Sequence, residues 1–392
     1  MESDTLTIEH ILETLTPEEN EEVLQNNFRI PLQLYLDGYN RSPDWPRESL
    51  LHRFKSYARN RASVKSAIEK NPDILKVEIK EPVFIVGLAR TGTTMLQRLL
   101  DADPKLSAPM LWELVEPAPA GRPENFEECD RYKKACKDED SASLVEGHFI
   151  NYHHSKMDLP EECYNALRPY FMNFYDFVQL LDLPELRDFM YNFPEQQALD
   201  TYEYYKRCLQ CIFYNSLPAG NRVLLKSSIH CLNLTTIKKV FPDAKFLFPI
   251  RNVKSMVASY CSFIYQIWKS IDEEADVHAC GKRVLELFKY KSQNAVKFFR
   301  EAPEDSYLPF SYSEMTKNPI KTVKQINAHF GWDLSPEAIE LMQKHAEENK
   351  HNKHGKVEKT KIEDYGLTEE DIKENLKEYL EFFADGPEQL CE

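Results

Sequence analysis

The stretch EPVFIVGLARTGTTMLQRLLDADP, residues 81–104, decides the fold class of this chain. Pro82 opens a short apolar run, residues 83–88, of the kind that forms a buried parallel strand. A glycine-containing turn follows, and TTMLQRLLDA continues as a helix that ends before Pro104. A strand, a tight turn and a helix in this order predict one unit of an α/β fold.

The turn has the frame of a phosphate-binding loop. Gly87 and Gly92 keep the spacing of G-x-x-x-x-G-K-[ST], but Thr93 stands in the lysine position and Thr94 follows it. Backbone N–H groups and the helix N-terminus favour an anion here, and Arg90 adds a planar fork of donors. Because the lysine that reaches terminal phosphates is missing, triphosphate hydrolysis is disfavoured. The alternative is a turn that only packs the helix on the sheet.

Three further apolar runs resemble buried strands, and helical patterns lie between and after them. The predicted strands are residues 222–226, 244–251 and 306–312. The predicted helices are residues 234–241, 253–268 and 320–330. Strands that alternate with helices predict an α/β fold with a central, mostly parallel sheet flanked by helices, a P-loop-like arrangement of three layers.

The rest of the chain reads as helical additions to this core. Residues 5–70 have apolar positions at helical spacing, and residues 164–214 are dense in aromatic side chains without strand–helix alternation. The aromatic segment is interpreted either as core packing or as the lining of a ligand pocket. The predicted organisation is a helical N-terminal extension (1–80), an α/β domain (81–335) with a helical insertion at about 120–220, and a C-terminal basic loop and helices (336–392) that complete the same domain.

Composition limits the partners. The net charge of −15 over 392 residues argues against a general nucleic-acid or anionic-membrane binder. No run approaches the roughly 20 apolar residues that span a membrane, and the acidic N-terminus lacks a signal-peptide pattern, so we expect a cytoplasmic protein. The nine cysteines include one C-x-x-C, formed by Cys208 and Cys211, without a second pair or a histidine frame. Free thiols are therefore expected, with a redox or metal role as the alternative.

Three later motifs follow the loop in order. Arg251 ends the strand in FPDAKFLFPIRNVKSMVASY (241–260), and Ser259 lies on the helix after it, where both can reach one phosphate at the carboxyl edge of the sheet. The other two motifs are VLLKSSIHCLNL (223–234) and FSYSEMTKNP (310–319). Together with the loop, they resemble the sulfotransferase superfamily over residues 82–332. The likeness is closer to its broad small-molecule branch than to the cytosolic phenol and steroid enzymes.

The resemblance implies that 3′-phosphoadenosine 5′-phosphosulfate (PAPS) is the co-substrate. The residues that match the loop for the 5′-phosphosulfate are Arg90, Thr91, Gly92, Thr93 and Thr94. Arg251 and Ser259 match the pair that grips the 3′-phosphate, and Tyr312 matches a residue near the adenine. Lys226 matches the lysine that contacts the sulfuryl group.

The chain departs from the cytosolic enzymes near its C-terminus. Their late segment R-K-G-x-x-G-D-W-K-N is missing, and residues 350–361, with five lysines, stand in its place. This segment is interpreted either as a closure over the 3′-phosphate or as a solvated basic loop.

Sulfuryl transfer to a hydroxyl needs positioning, charge stabilisation and a base for the hydroxyl proton. In the predicted in-line mechanism, Lys226 and Arg90 stabilise the charge and no metal is required. His230 and Glu113 compete for the role of base. Other candidates are His148, His153 and His154.

The aromatic segment favours a small, apolar or aromatic acceptor with a hydroxyl group. A homodimer is compatible with the sequence. Two rival functions remain open: a P-loop nucleotide kinase or other phosphotransferase that needs ATP and magnesium, and a catalytically silent nucleotide-binding protein.

Overall fold

The predicted α/β architecture is confirmed. The structure, a computed structural model, describes residues 5–41, 47–137, 156–172, 184–348, 360–388 and 390. The strands are β1 (Val83–Ile85), β2 (Leu106–Ser107), β3 (Arg222–Lys226), β4 (Lys245–Ile250) and β5 (Tyr307–Ser311). They pair in parallel in the order β2-β3-β1-β4-β5, so the strand that leads into the loop lies at the centre of the sheet.

Helices surround this sheet. Before it come α1 (Ile8–Leu12), α2 (Pro17–Leu24), α3 (Asn26–Arg41) and α4 (Arg47–Lys70). Between β1 and β3 lie α5 (Thr93–Leu100), α6 (Leu111–Val115), α7 (Tyr164–Leu167), α8 (Pro184–Tyr191) and α9 (Glu195–Ile212), and residues 130–137 are also helical. After β3 follow α10 (Leu234–Val240), α11 (Val253–Ile271), α12 (Val277–Glu301) and α13 (Tyr312–Lys317). The last are α14 (Pro319–Phe330), α15 (Pro336–Glu348), α16 (Glu369–Asn375) and α17 (Lys377–Phe382).

Three strand boundaries differ from those predicted. β1 ends at Ile85 instead of residue 88, because the backbone turns into the loop at Gly87, whose φ is +151°. β4 and β5 are each shorter than their apolar runs. Tyr312 begins α13, since Ser311 Oγ accepts a hydrogen bond from the Glu314 N–H over 2.9 Å and caps that helix. The short edge strand β2 was not predicted.

The N-terminal helices have a hydrophobic core of their own, which also takes in Phe171 from the segment before α8. The Phe171 ring lies 5.0 Å from the ring of Phe28 and 5.6 Å from that of Tyr35. This aromatic contact ties α3 to the chain that follows α7. The domain division at residues 80 and 335 stays a prediction.

Much of the aromatic segment packs in the interior. Tyr202 and Tyr205 on α9 are fully buried in the main core, which supports the core-packing interpretation for them, while residues 173–183 lie outside the described residues. Cys208 and Cys211, also on α9, are free and buried. Among the described residues, no helix is both long and apolar enough to cross a membrane.

Candidate active site

The loop between β1 and α5 is a tight turn that packs against α13. Arg90 and Gly92 both have positive φ, +66° and +78°, and Thr91 Oγ1 donates a 2.8 Å hydrogen bond to the Leu88 carbonyl. A Cβ on Gly92 would lie 2.7 Å from Met315 Cε and 2.9 Å from Tyr312 Cε2. Gly92 is the N-cap of α5, so the first N–H groups of that helix point into the loop, where an anion can accept them.

Two of the three later motif segments meet at this loop. Arg90 Nε donates a hydrogen bond to Ser259 Oγ over 3.1 Å, and Arg251 Nη1 donates to the Arg90 carbonyl over 2.7 Å. The Arg251 guanidinium lies 4.6 Å from the centre of the Tyr312 ring. Asn252 caps α11 by accepting from the Ser255 N–H, which starts that helix directly after Arg251. The structure therefore brings together two arginines, a serine and a tyrosine at the carboxyl edge of the sheet.

Lys226 lies at the same edge, as the last residue of β3. It pairs in register with Ile85, the residue that ends β1 before the loop. Its side chain is fully buried, and Nζ lies 3.3 Å from Thr94 Oγ1. A buried ammonium needs counter-charge, because desolvation of an unpaired ion is costly.

That counter-charge comes from two carboxylates that the motifs did not reveal. Lys226 Nζ lies 3.2 Å from Glu161 Oε1 and 3.1 Å from Glu162 Oε1. Burial lowers the pKa of Lys226, but the carboxylates of Glu162 and Glu161 outweigh it, so the pKa is raised above its ordinary value. Lys226 therefore stays an ammonium ion.

The segment that carries these carboxylates is hydrogen-bonded to the end of β3. The Cys163 N–H donates to the Lys226 carbonyl over 2.9 Å, and the Lys226 N–H donates to Cys163 Sγ over 3.2 Å. Ser227 Oγ donates to Glu162 Oε2 over 2.8 Å. The available sequence signal was the adjacent pair of acidic residues in LPEECYN (159–165), whose partner lies far away in the chain.

His230 lies in the interior, against β1. It follows β3 in the short turn Ser228–Leu232, is fully buried, and its Nδ1 lies 2.9 Å from the Tyr202 hydroxyl. Its ring packs edge-on against Phe84 at 5.2 Å, and among the described residues Nε2 has no hydrogen-bond partner. Burial lowers the pKa of His230 to about 3. This environment is that of a neutral core histidine.

Glu113 lies on α6 in a buried ion pair. Arg122 donates from Nε to Glu113 Oε1 over 2.7 Å and from Nη2 to Oε2 over 2.5 Å. The Met110 N–H also donates to Oε2, over 2.9 Å. Both carboxylate oxygens are therefore engaged in a bidentate pair, an arrangement typical of a structural carboxylate.

The remaining predicted residues are three histidines and the basic segment near the C-terminus. His148, His153 and His154 lie outside the described residues, as do residues 350–359 of the basic segment. Thr360, at the end of that segment, donates from Oγ1 to the Ala258 carbonyl over 3.3 Å. The end of the basic segment therefore reaches the helix that carries Ser259.

A cavity of about 510 Å³ lies elsewhere, between α4 and α9. Its walls include Arg61, Tyr170 and Tyr204, and none of the motif residues lines it. It is therefore distinct from the loop site.

A loop without the P-loop lysine, a buried lysine beside it and an arginine–serine pair therefore lie together at one sheet edge of an α/β fold. Residues 82–336 match the model of a family described as "Sulfotransferase family". This region is well over half of the chain, and the chain belongs to the sulfotransferase family.

Solved structures agree on the fold. The sulfotransferase STF1 from Mycobacterium tuberculosis H37Rv aligns with a TM-score of 0.76 at 24% identity, over 95% of this chain and 99% of that chain. The sulfotransferase STF9 from Mycobacterium avium aligns with a TM-score of 0.78 at 20% identity, over 100% of this chain and 99% of that chain. Comparison with curated protein sequences finds no match.

Proposed function

We propose that this sulfotransferase moves a sulfuryl group from PAPS to the hydroxyl group of a small, apolar or aromatic acceptor. The observation that carries the proposal is the meeting of Arg90, Lys226, Arg251 and Ser259 around one loop and one helix N-terminus. The family itself supports sulfuryl transfer. The donor and the acceptor class are inferred from the residues.

The 5′-phosphosulfate suits the loop. The N-terminus of α5 supplies N–H donors and a partial positive charge, and the Thr93 and Thr94 hydroxyls lie in its first turn. Gly92 lets the loop pack closely against α13, since a side chain there would meet Tyr312 and Met315. Thr93 in the lysine position removes the contact that a nucleoside triphosphate uses.

The 3′-phosphate suits Arg251 and Ser259. A guanidinium is a fork of donors that matches a phosphate, and a serine hydroxyl adds one more. The Arg251 guanidinium also lies over the Tyr312 ring, which keeps an aromatic face close to where an adenine would stack. A donor with phosphates at both the 5′ and 3′ positions fits this pair of adjacent anion sites better than a triphosphate.

Lys226 suits the sulfuryl group. Its buried ammonium lies beside Thr94 in the first turn of α5, and its positive charge can stabilise the charge that builds on the sulfuryl and bridging oxygens during transfer. Removal of one such donor typically costs about 10²–10³-fold in turnover. We assign Lys226 and Arg90 to this charge stabilisation.

Two apolar side chains lie near the loop. Met95, next to Thr94 on α5, is 40% exposed, although large apolar side chains are commonly buried. The Arg90 guanidinium lies 5.8 Å from the centre of the Phe263 ring. These side chains support an apolar or aromatic hydroxyl compound as acceptor.

The direct test is incubation with PAPS labelled in the sulfuryl group and a panel of simple alcohols and phenols, without added metal. We expect labelled organic sulfate and an equal amount of 3′,5′-adenosine bisphosphate. Adenosine 5′-phosphosulfate, which lacks the 3′-phosphate, is the control donor and should react far more slowly. In Arg251→Met, which cannot hold the 3′-phosphate, the preference for PAPS over the control donor should largely disappear.

Two outcomes would contradict the proposal. Tight binding of the bisphosphate without transfer to any hydroxyl compound would favour a silent nucleotide-binding protein. Transfer of phosphate from ATP with magnesium, and none of sulfate from PAPS, would favour a kinase.

A further inference from the structure

Two carboxylates contact the single ammonium of Lys226. The ammonium has three N–H donors, and three protein acceptors surround it. They are Thr94 Oγ1 at 3.3 Å, Glu161 Oε1 at 3.2 Å and Glu162 Oε1 at 3.1 Å. Two carboxylates therefore contact one fully buried ammonium, and the charge of Glu162 also acts on Lys291.

The two carboxylates differ in their surroundings. The Glu161 side chain is only 5% exposed, and its Oε1 accepts from both Lys226 and the Glu162 N–H, the latter over 2.9 Å. The Glu162 side chain is 19% exposed, with Oε1 on Lys226 and Oε2 on Ser227. A carboxylate has about four acceptor positions, so Glu162 has room for one more partner at its accessible edge.

We infer that Glu162 is the general base that takes the proton from the acceptor hydroxyl. This rests on the proposed function, and it assigns to Glu162 the role predicted for His230 or Glu113. The bond between the acceptor oxygen and sulfur forms while the bond between sulfur and the bridging oxygen breaks. The bridging electron pair stays on the 5′-phosphate of the bisphosphate product, and the hydroxyl proton moves to the Glu162 carboxylate.

The position of Glu162 suits this step. Lys226 joins it to Thr94 at the first turn of α5, so a hydroxyl that contacts Glu162 lies beside the sulfuryl position. When Glu162 has taken the proton, Glu161 still balances the charge of Lys226. The second carboxylate therefore lets the lysine remain an ammonium ion throughout the transfer.

The other candidates are less suited to this task. Both oxygens of Glu113 are engaged by Arg122, and His230 is enclosed between Phe84 and Tyr202. The titratable groups next to Glu162 include Lys226, Glu161 and Cys163, and its charge also acts on Tyr260 and Lys291.

The test compares two isosteric variants in the same cluster. Glu162→Gln should reduce turnover by about 10²–10⁴-fold, the usual contribution of a general base. The dissociation constant of 3′,5′-adenosine bisphosphate should stay within about threefold, as expected for a residue that acts on the acceptor. The turnover that remains in Glu162→Gln should no longer fall as the pH is lowered, unlike the turnover of the wild type. Glu161→Gln should lose less than about tenfold in turnover, and its turnover should still fall at acidic pH.

A third variant guards against a merely structural effect. Glu162→Asp keeps a carboxylate, one methylene further back. It should retain more turnover than Glu162→Gln, and its turnover should still fall at acidic pH. The inference is wrong if Glu162→Gln turns over within tenfold of the wild type, or if Glu161→Gln loses as much. Loss of bisphosphate binding in both Glu162 variants would show a structural role and also overturn it. Failure of the proposed function looks different, because the wild type itself would then transfer no sulfate from PAPS.

Discussion

Arg90 Nε and Ser259 Oγ are joined by a hydrogen bond of 3.1 Å although they lie 169 positions apart. Arg90 follows β1 and Ser259 lies on the helix after β4, and these two strands are parallel neighbours in the sheet. Their carboxyl ends therefore meet at one edge, as expected for ligand sites in open α/β sheets. The bond places the proposed 5′-phosphosulfate loop next to the proposed 3′-phosphate site.

Ser259→Ala should weaken binding of 3′,5′-adenosine bisphosphate by roughly 10-fold or more, because a hydrogen bond to a charged group is worth about 1.5–3 kcal/mol. Binding of 5′-AMP, which has no 3′-phosphate, should change little. Isothermal titration calorimetry measures both. Ser255→Ala, at an exposed position one turn earlier on α11, is the matched control and should leave both affinities unchanged. Equal losses of affinity for the bisphosphate and for 5′-AMP would contradict the assignment of Ser259 to the 3′-phosphate.

Gly92→Ala should abolish bisphosphate binding, since its new methyl group would meet Met315 and Tyr312 at under 3 Å. Gly331→Ala is a suitable control, because Gly331 also has positive φ, +66°, but nothing lies within 4 Å of its Cβ position. Both variants should lose about 1–2 kcal/mol from left-handed strain. Binding and thermal unfolding together separate strain from steric contact. The prediction fails if the two variants bind the bisphosphate equally well.

The regular part of the fold could be predicted because strand and helix patterns are local. The apolar runs found β1, β3, β4 and β5, whereas the two-residue β2 is defined only by its pairing with β3. The strand ends are not encoded in the same way, since the turn at Gly87 depends on backbone angles that an apolar run does not specify.

The candidate site was predictable only where a motif marks it. Arg90, Arg251 and Ser259 stand in recognisable segments, and the structure brings them together. Glu162 forms its contact with Lys226 across 64 positions, and no motif spacing connects them. The sequence showed His230 just beyond a strand end, but which side of the sheet that turn packs against is a tertiary property.

His230→Phe should leave turnover within a few-fold of the wild type, because the imidazole packs as a core ring between Phe84 and Tyr202. Activity assays under saturating donor check this directly. A loss of 10²-fold or more with intact bisphosphate binding would restore His230 as the base.

The same variant should change the response to acid. The pKa of His230 is about 3 in the folded protein and about 6.5 when unfolded, so between these values the unfolded chain binds more protons. The contribution of this group to stability is therefore lost as the pH falls from about 6.5 towards 3. His230→Phe should therefore lose less stability than the wild type as the pH falls. His329→Phe, at an exposed position, should behave like the wild type. Denaturant unfolding at several acidic pH values measures the difference.

Lys291 offers a test at alkaline pH. This lysine on α12 is fully buried, with Nζ 3.1 Å from Ser228 Oγ. Burial lowers the pKa of Lys291 to about 8, and the weaker opposing effects of Cys231 and Glu162 do not cancel it. Between pH 8 and the ordinary lysine value of about 10.4 the unfolded chain binds more protons, so this group stabilises the fold increasingly as pH rises.

Buried thiols and phenols lower the stability of the fold as the pH rises, which opposes the effect of Lys291. Comparison of the wild type with Lys291→Met isolates the contribution of Lys291, because these other groups are present in both proteins. The wild type should gain on the order of 2 kcal/mol of unfolding free energy relative to the variant between about pH 7.5 and 9.5. Urea unfolding at several pH values measures both proteins. Lys297→Met, at an exposed position on the same helix, should show no such trend. A difference between wild type and Lys291→Met that stays constant over this range would mean that Lys291 keeps its proton in the folded protein.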